Sequence, residues 1–230
     1  MIYVMSDLHG RYDLYVKMLE KLNLQTSDTL YILGDFVDRG PDGFKIILDI
    51  VEYDNIIPIM GNHDFLASTL LSRLNNGLKP GEMADLKAAI DMWLYDGGDK
   101  TLAEFRTLPY DKRVYALEIM DNFRNYSEVS IGDKTFVLCH GGIDGYVEGL
   151  PLDIYNIANF AFGREDYSKP KFNDPSKFLV TGHTPTGCIE GATEGKIHCA
   201  NNHICVDCGA VYDLGLGAIC LDTFEEFYVK

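Results

Sequence analysis

Four of the six histidines in this 230-residue chain fall inside short clusters rich in Asp, Asn and Gly. The clusters are Ser6-Asp7-Leu8-His9-Gly10, Gly34-Asp35-Phe36-Val37-Asp38-Arg39-Gly40, Gly61-Asn62-His63-Asp64, His140-Gly141-Gly142 and Gly182-His183-Thr184-Pro185. Carboxylate, imidazole and amide donors together could assemble a two-metal hydrolytic site. Asp7 and His9 are two residues apart, and at a strand end such residues share a face, so both can approach one cation. Asp35 can reach the same ion and, having two oxygens, bridge to another. Asn62, His140 and His183 offer neutral oxygen and nitrogen donors for that second ion. This N/O set contains no Cys. It suits Mn²⁺ above all, with Fe or Zn²⁺ as the other candidates, better than Ca²⁺. Two such ions about 3.5–4 Å apart can activate a bridging water and clamp a phosphoryl group.

The leaving oxygen then needs a proton. His63 adjoins Asn62 but would point elsewhere, which makes it the general-acid candidate. Asp38 could orient its ring, and Arg39 offers a forked donor for phosphate oxygens. Each residue also has a plainer reading. The aspartates could be helix caps or turn residues, and His140 and His183 could be hydrogen-bonded core residues. The conjunction of five such clusters, each after a strand-like run, favours a site over coincidence.

The elements that must position these residues are legible as alternating strands and helices. Strands are expected over Ile2–Met5, Thr29–Leu33 and Ile56–Met60, with helices near Tyr12–Leu24, Gly43–Val51 and from Asp64 onward. This βαβαβ order implies a parallel sheet with right-handed crossovers, and the clusters then lie at the carboxyl ends of its strands. Residues from about 65 to 123 read as a helical cap or side layer without ligands of its own. The remainder is richer in strands, beginning with a hairpin over Ser127–Ile131 and Thr135–Cys139. Further strands are expected at Phe178–Thr181, Lys196–Cys199, Ile204–Val206, Ala218–Asp222 and Glu226–Val229. No linker divides the chain, so one domain over 1–230 is expected.

With 20 basic and 35 acidic residues the net charge is −15, which argues against a nucleic-acid partner. An anionic substrate must therefore be drawn by local cations. No run is long and apolar enough for a membrane span, and no export signal is evident, so a cytoplasmic protein with reduced thiols is expected. Cys205 and Cys208 form a C-x-x-C, but no second well-spaced pair supports a zinc ribbon.

These clusters resemble the motif set of the calcineurin-like metallophosphoesterases. More narrowly, they resemble that of the bacterial branch of PPP-type serine/threonine protein phosphatases. The resemblance implies a β-sandwich flanked by helices. It implies one metal on Asp7, His9 and Asp35, a second on Asp35, Asn62, His140 and His183, an acid pair of His63 with Asp38, and phosphate binding by Arg39. Arg164, in Phe162-Gly163-Arg164-Glu165, resembles the second phosphate-binding arginine of that family. Ser6 stands where a Gly is usual. Asp64 stands where a Glu is usual, so its supporting contact is expected to be shorter or lost. The expected activity is metal-dependent hydrolysis of a phosphorylated protein or small phosphoester, foremost as a serine/threonine protein phosphatase. The alternatives are symmetrical dinucleoside polyphosphate hydrolysis and a catalytically silent scaffold.

Overall fold

The computed structural model describes residues 1–77 and 82–230. Residues 78–81, inside the expected helical cap, lie outside the described residues. The first sheet contains β1 (Ile2–Met5), β2 (Thr29–Leu33) and β3 (Ile56–Ile59), joined in parallel. β9 (Leu216–Cys220) and β10 (Glu226–Val229) extend it antiparallel, in the order β10-β9-β1-β2-β3. The second sheet contains β4 (Tyr126–Ile131), β5 (Lys134–Cys139), β6 (Lys177–Thr181), β7 (His198–Ala200) and β8 (His203–Cys205). Its order is β4-β5-β6-β8-β7, with β5, β6 and β8 parallel.

The two-residue period of the strands explains how the layers stack. Val4, Tyr31, Leu33 and Ile59 point from the first sheet into a core shared with Phe136, Leu138, Val180 and Ile204 of the second. Their neighbours Met5, Leu30 and Ile32 point the other way, into a core covered by helices. Those helices include α1 (Tyr12–Leu22), α2 (Gly43–Ile50) and α3 (Asn62–Asn75). Three more follow: α4 (Glu82–Trp93), α5 (Asp99–Thr107) and α6 (Tyr110–Asp121). On the outer face of the second sheet, Val137, Cys139 and Leu179 pack with Phe172 and with Phe160 of the short α7 (Ile157–Ala161). The result is a β-sandwich flanked by helices, as expected, with a parallel βαβαβ first half.

Helix α1 ends at Leu22 because Asn23 turns left-handed (φ 47°, ψ 51°) and closes the helix through its N–H to the Leu19 carbonyl. α4 and α5 do not run on as one rod. An irregular turn, Leu94–Gly98, separates them, with Gly97 at φ 103°. Among the described residues no helix is long and apolar enough to cross a membrane. All six cysteines are free, four of them buried.

Candidate metal centre

The clusters lie on loops leaving the carboxyl ends of β1, β2, β3, β5 and β6, so both sheets contribute. These loops turn sharply. Asp7, His9, Asp35, Asp38, Arg39 and His183 all have φ between 42° and 68°. Left-handed backbone costs a non-glycine residue about 1 kcal/mol or more and persists only where surrounding contacts impose it. Here the first two loops brace each other. Asp7 N–H donates to the Gly34 carbonyl (3.1 Å), and His9 N–H to that of Asp35 (2.8 Å). Glycine is required where loops touch carboxylates. A Cβ on Gly61 would lie 2.2 Å from Asp35 Oδ1, and one on Gly182 2.2 Å from Asp7 Oδ2.

Asp35 sits at the middle of the arrangement. Its Oδ2 is 3.5 Å from His9 Nε2 and 3.3 Å from His140 Nε2, and its Oδ1 accepts the His63 N–H (3.1 Å). Two groups of metal-competent atoms share it: His9, Asp35 and His63, and Asp35, His140 and His183. Asn62 Oδ1 is 2.9 Å from His140 Nε2. Asp7 lies outside both groups but lines the same cavity, with its Oδ2 accepting the His183 N–H (2.9 Å).

Hydrogen bonding fixes which imidazole nitrogens are available. His9 Nδ1 faces the Val37 carbonyl (2.9 Å) and His140 Nδ1 the Leu33 carbonyl (2.6 Å). A carbonyl only accepts, so each Nδ1 carries the hydrogen and each Nε2 keeps a lone pair. At His140 that lone pair meets the oxygens of Asn62 and Asp35. Turning the Asn62 amide over still leaves the Asp35 oxygen against the ring nitrogen. A shared cation, proton or metal, reconciles them. The charges agree with that demand. Burial works to lower the His140 pKa, but the Asp35 carboxylate outweighs it and pushes the ring up to about 10. Burial also pushes Asp7 up to about 6 and Asp64 up to about 7, with the Asp35 charge adding to both. His9 and His183 are held neutral by burial, pushed down to about 3, which leaves them ready to donate to a metal. The donor set therefore fits divalent cations.

His63 has a separate partner set. Its Nδ1 is 2.7 Å from Asp38 Oδ2, deep in the protein. Asp38 also accepts from Thr101 Oγ1 (2.6 Å) and from Trp93 Nε1 (3.0 Å). At the other ring edge, Arg39 Nη2 donates to His63 Nε2 (2.9 Å) and to Asp96 Oδ1 (3.1 Å), while Arg39 Nη1 donates to His9 Nε2 (3.2 Å). The Arg39 N–H is in turn held by the Gly97 carbonyl (3.0 Å). Burial works to lower the His63 pKa, yet the Asp35 and Asp38 charges raise it above its usual value.

The helical layer, expected to carry no ligands of its own, reaches the site through supporting contacts. Trp93, Asp96 and Thr101 act on Asp38 and Arg39. Nothing local in the sequence marks what the turn at Gly97-Gly98 touches. Of the two outcomes expected for Asp64, a shorter contact or a lost one, the second does not occur. Its carboxylate accepts the backbone N–H of Asp35 (2.7 Å), Phe36 (2.9 Å) and Gly61 (3.0 Å). Asp207, just after β8, is a further buried carboxylate on the cavity wall, its pKa pushed well up by burial. Arg164 lies after α7 and donates to Thr184 Oγ1 (3.2 Å). All ten residues singled out from sequence converge here. Asp38 and His140 stand just behind the others, which line one cavity of about 140 Å³.

A profile of the calcineurin-like phosphoesterase family matches residues 1–217. The chain belongs to that family, and the hydrolase expected from the sequence agrees with the membership. It is similar to a symmetrical bis(5'-nucleosyl)-tetraphosphatase of Acidovorax ebreus (strain TPSY), 30% identical over 116 residues, covering 50% of this chain and 39% of that one. The chain spans roughly a third to two fifths of the length of the first such relatives it matches. Among solved structures, a provisionally assigned diadenosine tetraphosphatase superposes with a TM-score of 0.67 at 16% identity, over 99% of this chain and 92% of that one. A protein serine/threonine phosphatase from Saccharomyces cerevisiae superposes with a TM-score of 0.58 at 14% identity, over 100% of this chain and 80% of that one. At such identities these two likenesses speak for the fold alone.

Proposed function

We propose that the chain is a two-metal phosphoester hydrolase whose substrate is a dinucleoside polyphosphate, cleaved symmetrically. The observation that carries the hydrolytic part is Asp35, whose carboxylate belongs to both groups of metal-competent atoms. Asp7, His9 and Asp35 would hold one ion, and Asp35, Asn62, His140 and His183 the other, with Mn²⁺ favoured. When bound, two divalent cations neutralise the phosphoryl oxygens and acidify an attacking water. The protein supplies the rest. Arg39 and Arg164 hold phosphate oxygens from two sides of the cavity. A phosphate that draws Arg39 away uncovers His63 Nε2, which then carries a proton to the leaving oxygen. Asp38 keeps the ring in register and stabilises its charged form, and is itself saturated by Trp93 and Thr101.

The nucleotide substrate is supported by the curated relatives, which are tetraphosphatases. The serine/threonine protein phosphatase expected foremost from the motif pattern ranks second, since it rests on that pattern alone. Six free thiols accord with a cytoplasmic location. The test is a panel of diadenosine tetraphosphate, a phosphoserine peptide and p-nitrophenyl phosphate. Each is assayed with metal-stripped protein reconstituted separately with Mn²⁺, Fe²⁺, Zn²⁺ and Mg²⁺. Release of ADP alone from the dinucleotide, at a kcat/KM well above that on the peptide, is expected. The reverse ranking would replace the substrate, and inactivity with every metal would end the hydrolase reading.

A further inference from the structure

The metal cavity, about 140 Å³, has room for a phosphoryl group and little more. A larger substrate must continue past its rim. Arg164 is on that rim, and it also lines a second cavity of about 450 Å³. That volume falls within the range of about 300–1,000 Å³ usual for small-molecule sites. Among the described residues no other lysine or arginine lines this second cavity. Two of its acids are already paired, Glu165 with Lys171 (2.7 Å) and Asp166 with Lys169 (3.0 Å). Beyond Arg164 the described walls carry no further fixed positive charge, and the exposed Glu190 adds a negative one, so they suit a neutral, partly aromatic group better than another phosphate.

The walls themselves fit such a group. Ile189 and Ala200 are apolar, and two aromatic rings adjoin them. Tyr167 is itself buried, its hydroxyl on Thr181 Oγ1 (3.2 Å) and its ring stacked on the buried His203 (centroids 4.2 Å apart, 26° between planes). Half-buried His198, edge-on to it at 6.2 Å, is the more exposed of the two rings. Asn201 spends its Nδ2 on the Tyr167 carbonyl (2.9 Å), which leaves its oxygen to accept from an exocyclic amine or a ribose hydroxyl. We propose that this cavity is a nucleoside subsite, with the phosphate chain turning into the metal cavity at Arg164. The assignment rests on the dinucleoside polyphosphate reading above, and it adds which surface holds the nucleoside.

The test uses the Mn²⁺-loaded full chain with Ala200→Trp and, separately, Glu190→Trp, both intended to fill the second cavity. p-Nitrophenyl phosphate needs only the metal cavity, so its kcat/KM should stay within about twofold in both variants, which also reports folding. For diadenosine tetraphosphate, KM should rise about 10-fold or more as the inserted ring excludes the nucleoside, a loss of about 1.4 kcal/mol in binding. Competitive inhibition of p-nitrophenyl phosphate turnover by ADP should weaken by a similar factor, while inhibition by inorganic phosphate should not change. Unchanged ADP inhibition in both variants would overturn the subsite even if the dinucleotide is a good substrate. Failure of the wild-type protein to cleave the dinucleotide would instead overturn the substrate reading, leaving ADP inhibition to decide whether the cavity binds nucleotides. Should Ala200→Trp fail to fold, Glu190→Trp, at an exposed position, still decides.

Discussion

His63→Asn separates acid catalysis from charge stabilisation, because the two depend differently on the leaving group. His63 Nδ1 and Asp38 Oδ2 are 2.7 Å apart in a buried pair, a geometry that stabilises the charged ring. Asparagine removes the titratable ring but leaves Asp38 its bonds to Thr101 and Trp93, so the fold and the metal ligands should be retained. A serine alkoxide is a poor leaving group and needs the proton. On a phosphoserine peptide the variant should lose about 10²–10⁴-fold in rate, equivalent to roughly 3–5 kcal/mol of transition-state stabilisation. Nitrophenolate leaves readily without a proton, and so does ADP, whose departing oxygen belongs to a phosphate. Losses on p-nitrophenyl phosphate and diadenosine tetraphosphate should therefore be at least tenfold smaller. The assay is kcat/KM on the three substrates, with metal content measured on the same preparations. Equal losses on all three would make His63 an electrostatic or positioning residue, and loss of metal would make it a ligand.

Four further outcomes follow from the geometry. Asp35→Asn, which weakens the carboxylate shared by both ligand groups, should lower the bound metal below two ions per chain by elemental analysis; two retained ions would refute the bridge. Arg164→Ala should cost about 1.5–3 kcal/mol in kcat/KM through loss of a charge-assisted phosphate contact, and an unchanged value would remove Arg164 from the site. Asp96→Ala removes the exposed carboxylate that shares Arg39 with His63, so inorganic phosphate should inhibit more strongly, and an unaltered inhibition constant would show that Asp96 does not compete with phosphate for Arg39. Phe136→Ala, in the core between the sheets and stacked on Phe178 at 5.2 Å, should lower unfolding free energy by about 3–5 kcal/mol in denaturant melts while leaving metal content intact.

The strands that end in the clusters were legible because each is a short apolar run closed by glycine with Asp, Asn or His, a local signal. The candidate ligands were legible for the same reason: metal chemistry restricts the residue types, and the loops that carry them are short. What was not legible depends on pairing over long stretches of chain. The second sheet interleaves β8 between β6 and β7, an order that no local pattern encodes. Trp93 and Thr101 meet Asp38 from 55 and 63 positions away, so the partner set of the acid pair could be completed only from the fold.

Asp64 shows what side-chain length alone leaves open. An aspartate is a methylene shorter than the glutamate usual at that position, which suggested a shorter or lost contact. But Asp64 lies in the first turn of α3, where its carboxylate already reaches the Gly61 N–H, and the same two oxygens accept from Asp35 and Phe36. The shorter side chain is met by backbone that lies within its reach. That backbone belongs to the loop on which Asp35 adopts φ 56°. A left-handed aspartate holds its place only if its neighbours are fixed, and Asp64 fixes them by taking the N–H groups the sharp turn leaves unpaired. The position of Asp35, shared by both ligand groups, is therefore set by a second, buried carboxylate one loop away, and the proximity of the two adds to burial in raising the latter's pKa to about 7.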